Sequence, residues 1–146
     1  MKKLYTIVVL GVFTVLFLAI FYFFPKNTIQ APVVNDVNES GISVSYPKPN
    51  DVIWSPLKIA GLVNGSGWIG FEGQVGTVRL FDAKEKEIAI GILTAQGEWM
   101  QKIINFESTL IFAPVSPGPG KLVFYNENPS GEPVRDKIFI VPVTFK

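Results

Sequence analysis

The chain begins with one rule of patterning and then changes to another. Residues 4–24, LYTIVVLGVFTVLFLAIFYFF, contain no charge, no proline and a single glycine, Gly11. Such a run has no polar face to leave in water. Coiled as a helix it extends about 31 Å, the depth of a bilayer's hydrocarbon core. From residue 41 onward the period is two. In "PLKIAGLV" (56–63) Leu57, Ile59 and Gly61 share a side, and in "GTVRLFD" (76–82) Val78 and Leu80 oppose Arg79 and Phe81. "IAIGILTA" (88–95) sets Ile88, Ile90 and Ile92 in step, and "NFESTLIFAP" (105–114) does the same for Phe106, Leu110 and Phe112. "GKLVFYNE" (120–127) alternates Leu122 and Phe124 with Val123 and Tyr125, and "IFIVPVTF" (138–145) aligns Phe139, Val141, Val143 and Phe145. With "ISVSYP" (42–47) these make seven strands, separated by turn-forming stretches such as KPND, NGSG and AKEKE.

Period-two alternation gives each strand one buried face, the requirement of antiparallel sheets packed on each other. Seven short strands in about 100 residues is the rhythm of an immunoglobulin-like β-sandwich. The expected fold is therefore all-β, a seven-stranded immunoglobulin-like antiparallel β-sandwich preceded by one N-terminal transmembrane helix. A closed barrel is the alternative arrangement. Pro142, lacking an N–H to give to a ladder, calls for an edge position or a bulge in the last strand.

Lys2 and Lys3 precede the apolar run and only Lys26 follows closely. The positive-inside bias then puts the N-terminus in the cytoplasm and the rest outside. Tyr5 and Tyr22 lie near the two ends, at the headgroup level that amphipathic rings favour. A cleaved signal peptide is the competing reading. Against it, the run exceeds the usual h-region, and "TIQA" before Pro32 makes a poor exit, with Ile29 at the −3 position. The expected organisation is a signal anchor over 1–24, a polar linker over 25–40 and one domain over 41–146. It places the protein in the membrane by a single helix, with its N-terminus cytoplasmic and its domain on the extracytoplasmic side.

Composition then removes whole classes of function. There is no cysteine, so no disulfide framework and no lipoprotein anchor, and the domain stands on its apolar core. There is no histidine, the commonest general base and metal ligand. Of 13 Lys and Arg, all but Lys2 and Lys3 follow residue 25, leaving 11 against 12 Asp and Glu. With no basic stripe, nucleic acid is not an expected partner.

The stretches "ISVSYPKPNDVIWSPLKIAGLV", "WIGFEGQVGTVRLFDAKEKEIAIG", "GEWMQKIINFESTLIF" and "GKLVFYNENPSGEPVRDKIFIVPVTF", in that order, resemble the Gmad2 family, the immunoglobulin-like domain of bacterial spore germination proteins. The resemblance runs over about residues 41–146. It implies an immunoglobulin-like fold and no catalytic residues. The glycine-rich "NGSGWIGFEG" departs from the shorter turn usual in the family, and the family name carries no role in spores over to this chain.

The candidate chemistry is aromatic. Trp99, beside Met100, suits the closure of a cysteine-free core better than a ligand platform. Trp54, at the mouth of a strand, Trp68, in the glycine-rich loop, and Phe71 are the candidate interaction surface. Trp68 fits either an exposed patch with Phe71 or a cap folded over the open end of the sandwich. Glu72 is placed to fix a turn or to pair with Arg79. Asp51, Asp82 and Asp136 each sit in a turn, where a weak calcium site is conceivable but no calcium loop is written. Ser55 has no histidine to activate it, and "SPGPG" lacks the Lys and Ser/Thr of a phosphate cradle. No catalytic residue, metal site or cofactor is expected. The resulting expectation is a non-catalytic, membrane-tethered module that contacts another envelope protein. The alternative is a carbohydrate- or cell-wall-binding module using the loop aromatics.

Overall fold

The computed structural model describes residues 40–146. The expected anchor over 1–24 and nearly all of the linker over 25–40 lie outside the described residues. Among the described residues no helix is long and apolar enough to cross a membrane.

The domain is all-β, with eight strands rather than the expected seven. They are β1 (Ile42–Tyr46), β2 (Val52–Ile53), β3 (Leu57–Val63), β4 (Gln74–Asp82), β5 (Glu87–Gln96), β6 (Ile104–Leu110), β7 (Gly118–Asn126) and β8 (Ile138–Phe145). The additional one is β2, whose two residues are too few to show any alternation. It pairs parallel with β8, Val52 against Thr144 and Ile53 against Phe145, so the pairing is not wholly antiparallel. One short helical turn, Pro133–Arg135, interrupts the connection from β7 to β8.

All eight strands form one hydrogen-bonded sheet in the order β1-β3-β6-β5-β4-β7-β8-β2. The sheet curls on itself at β5, which pairs with its two neighbours over different parts of its length. Its residues from Glu87 to Thr94 pair with β4, and Thr94, Ala95 and Gln96 pair with β6. The Phe106 ring of β6 and the Phe124 ring of β7 consequently meet at 6.4 Å although two strands lie between them in the sheet order. Ile59, Val78, Leu80, Leu93, Leu122 and Val141 fill the space between the halves. No polar or charged residue is buried among the described residues, so folding here rests on apolar burial.

One expectation about faces changed. On β5 the isoleucines divide: Ile88 packs on the core, but Ile90 and Ile92 are exposed, while Leu93 is buried and Ala89 and Ala95 pack on the core. The inner face there needs small residues, since a Cβ on Gly91 would press on Leu110 and Ser108 across the core. Pro142 sits where its missing donor faces no strand. β8 is flanked on its outer side only by β2 near its end, and Pro142 pairs in register with Lys121 of β7. Its carbonyl accepts the Asn50 N–H at 2.8 Å, on the outer side. The N and the carbonyl of one strand residue face the same side, so the missing N–H also faces outward and costs the β7 ladder nothing.

The strand directions define two ends. One gathers Gly41, the β3–β4 loop (64–73), the β5–β6 turn (97–103) and the β7–β8 loop (127–137). The other gathers Trp54, the β4–β5 turn and the β6–β7 loop (111–117).

Candidate functional site

The three proposed surface aromatics do not form one patch. Trp54 precedes β3 and Trp68 follows it, so seven residues of extended chain, about 23 Å, hold them at opposite ends. Trp68 is moreover 2% exposed, one of the largest buried side chains, and it is withdrawn from the surface set. Gly65 and Gly67 explain its position. Both have positive φ, +94° and +93°, and with Ser66 at +53° they reverse the chain so that the Trp68 N–H reaches the Gly65 carbonyl at 3.0 Å. The indole is thereby folded back over the end of the core beside Gly41, where any Cβ would strike the ring.

This is the role the sequence suggested for Trp99. That residue instead lies in a turn, half-buried and outside the core, with Met100 beside it largely in solvent. Strand alternation does not apply to a turn, and the carbonyl of Trp99 abuts Gly70, binding the β5–β6 turn to the β3–β4 loop. Phe71 is exposed on the same loop. Phe71 and Gln74 exchange two backbone hydrogen bonds, 2.8 and 2.9 Å, around Glu72 and Gly73, both at positive φ. That is a type I′ turn, the tight connection that suits the twist of a two-stranded ribbon. Glu72 thus occupies a turn as expected but does not reach Arg79, which pairs with Glu87 at 3.0 Å.

The β7–β8 loop is fastened to the same end by one side chain that the sequence reading overlooked. Asn126 Nδ2 donates to the carbonyls of Gly67 (2.8 Å) and Arg135 (3.0 Å), and its Oδ1 accepts the Lys137 N–H at 2.8 Å. Asn128 Nδ2 reaches the Glu132 carbonyl and Asp136 Oδ1, and its Oδ1 accepts the Ser130 hydroxyl. The signal available was the pair of asparagines in "NENPSG", since Asn side chains tie loops to their own backbone. An open groove runs between this loop and the β3–β4 loop, lined by Ser66, Ile69, Asn128, Val134 and Arg135.

The opposite end carries the most exposed tryptophan. Trp54 is 58% exposed and stands as a wall between two grooves. One is lined by Phe112, Val115 and Phe145, the other by Tyr46, Lys58 and Thr109. Its base is fixed: Ser55 Oγ accepts the Phe112 N–H at 2.9 Å, and the Lys146 N–H reaches the Ile53 carbonyl at 3.2 Å. Lys146 Nζ lies 5.9 Å from the indole centroid, within cation–π range. Ser55, considered as a nucleophile and set aside for want of a histidine, is a structural acceptor here.

The three aspartates hold turns. Asp51 Oδ2 accepts the Lys48 N–H, Asp82 Oδ1 accepts those of Lys84 and Lys86, and Asp136 Oδ1 accepts from Asn128. Among the described residues no three acidic side chains gather around a common metal position.

Comparison with known proteins agrees with this architecture. The model of the Gmad2 family, described as the immunoglobulin-like domain of bacterial spore germination, matches residues 41–132, from the Gly41 turn through the Asn126–Asn128 loop. β8 lies beyond the matched segment. No curated protein and no solved structure matches the chain. With more than half of its length matched, the chain belongs to the Gmad2 family of immunoglobulin-like domains.

Proposed function

We propose that the chain is a non-catalytic, membrane-tethered binding module, held by the apolar segment 4–24 on the outer side of a bacterial membrane, and that it docks another envelope protein around Trp54. The observation that carries the reading is the exposure of that indole, a large ring on a rigid base between two grooves. Solvent-exposed tryptophans flanked by apolar walls are the side chains that dominate protein–protein contacts once water is excluded. The family description, an immunoglobulin-like domain, supports a binding role rather than a catalytic one. The sequence, with no histidine or cysteine, leaves few groups for catalysis.

A glycan ligand is the second reading. It is favoured by one feature: Tyr46 and Trp54 line one groove together with Lys58 and Thr109, aromatic faces beside polar donors.

The test is capture by crosslinking in membranes of the native host, comparing wild type with Trp54→Ala. Because Trp54 packs on the surface, the variant keeps its far-ultraviolet circular dichroism. One envelope protein captured by wild type, lost by Trp54→Ala and able to rebind when purified, supports the proposal. Equal capture by both chains defeats it. Recovery of cell-wall fragments instead of protein selects the glycan reading.

A further inference from the structure

The end of the sandwich opposite Trp54 is capped by apolar side chains that the fold has no use for. Ile69 and Phe71 on the β3–β4 loop are 47% and 42% exposed, and Met100 and Ile103 on the β5–β6 turn are 76% and 57% exposed. Trp99 stands half-buried among them in sequence. The two loops touch, because the Trp99 carbonyl abuts Gly70 and the Ile104 side chain lies beneath that glycine. Their backbones are pinned as well. The type I′ turn at Glu72–Gly73 closes on two hydrogen bonds, and the Gly73 carbonyl accepts the Ala95 N–H at 2.8 Å. Five large apolar side chains are thus held on a preformed tip, more than scattered exposure accounts for.

The chain enters the domain at this same end. The Gly41 carbonyl accepts the Asn64 N–H at 3.0 Å, and Gly41 sits against Trp68. Residues 25–40 separate Gly41 from the apolar segment 4–24, a length that as a flexible coil would span about 20–24 Å. A bilayer crossed by that segment therefore lies within reach of the tip, whereas Trp54 is a strand length further away. Charge does not supply the attraction. The two loops carry Glu72, Glu98 and Lys102, with no excess of cations.

We infer that the tip formed by Ile69, Phe71, Trp99, Met100 and Ile103 rests in the interface of the lipid bilayer that anchors the chain, so that the Trp54 end faces outward. The contact is apolar and shallow, of the depth that interfacial side chains reach without spanning, about 5–10 Å. Tryptophan suits it, being amphipathic and favoured at the headgroup level. The inference rests on the tether proposed above and adds an orientation to it. Because the tip is preformed before contact, its insertion orders few groups, and because its loops carry two carboxylates against one cation it does not require anionic lipid.

The experiment uses the full chain reconstituted in phosphatidylcholine vesicles, with and without bromine high on the acyl chains. The apolar segment 4–24 contains no tryptophan, so the indole signal belongs to Trp54, Trp68 and Trp99. The Trp54→Phe variant, which keeps Trp99, is expected to lose emission in brominated vesicles, and the Trp99→Phe variant to lose far less. Phe71→Ser combined with Met100→Ser, both at exposed positions, should diminish the quenching of Trp99 while leaving the circular dichroism unchanged. Raising the salt concentration should not alter it. If the chain resists extraction by alkaline carbonate but Trp99 is not quenched, the tether stands and the tip inference fails. Trp99 shielded from aqueous iodide yet not quenched by brominated lipid means that protein covers the tip, which also overturns it. Release of the chain by carbonate refutes the tether, and the tip inference with it.

Discussion

Replacing Trp68 by alanine tests whether the glycine-rich loop is a surface device or the lid of the core. Its indole is 2% exposed and belongs to the same buried cluster as Ile42, Val63 and Val75. Large-to-small changes at such sites cost the lost transfer energy plus the cavity, about 3–5 kcal/mol for Trp→Ala. Partial collapse is available here, because the ring is bounded on one side by Gly41 and Ser66 on loops rather than by strands. The lower part of that range, about 3 kcal/mol, is therefore expected. Domains of this size hold about 5–15 kcal/mol in total, so the loss is a large share of it. At about 4–8 °C per kcal/mol, the midpoint should fall by roughly 12–24 °C. The assay is urea and thermal unfolding of residues 40–146 followed by far-ultraviolet circular dichroism, with the urea slope compared between variants. Trp54→Ala serves as the contrast, since a tryptophan 58% exposed should cost less than about 1 kcal/mol. A loss below about 1 kcal/mol for Trp68→Ala, equal to that of Trp54→Ala, would refute the lid.

Two further outcomes follow from the geometry. Asn126→Ala removes three hydrogen bonds that join the β3–β4 and β7–β8 loops, and should cost about 1–2 kcal/mol while speeding amide exchange at Lys137; unchanged exchange there would mean the loop stands without it. Gly76→Ala should be among the most damaging single substitutions in the domain, at about 2 kcal/mol or more, because Gly76 has φ +142° and a Cβ would collide with the Tyr125 carbonyl in the β4–β7 ladder; a variant with wild-type unfolding midpoint would contradict that placement.

Much of the domain was legible in the sequence because a half-buried strand leaves a local trace. The alternation of Val78 and Leu80, of Leu122 and Phe124, and of Phe139, Val141, Val143 and Phe145 reports their inward face correctly, since side-chain direction repeats every two residues whatever lies opposite. The turns at Lys48–Asp51 and Asp82–Lys86 were equally visible, their aspartates binding the backbone N–H groups a few residues away. β2 was not, because two residues gain strand geometry only from β8, some ninety positions later.

The aromatic site was the part least legible. An indole in a loop reads the same whether it folds inward or outward, and the choice at Trp68 was made by the space beside Gly41 and the turn of Gly65 and Gly67. The face of β5 shows the same limit. Three isoleucines in step look like a core stripe, yet only Ile88 packs on the core; this strand bridges two halves of a curled sheet, and beyond Ile88 the inner side takes Ala89, Gly91, Leu93 and Ala95 while Ile90 and Ile92 face out. The sequence by itself determined the all-β class, most of the strands, their turns and the family. Tertiary structure alone decided which tryptophan closes the core, which stands free, and that Trp54 and Phe71 lie at opposite ends. Local periodicity records how a residue sits on its own strand, whereas burial depends on volume supplied by chain far away in sequence.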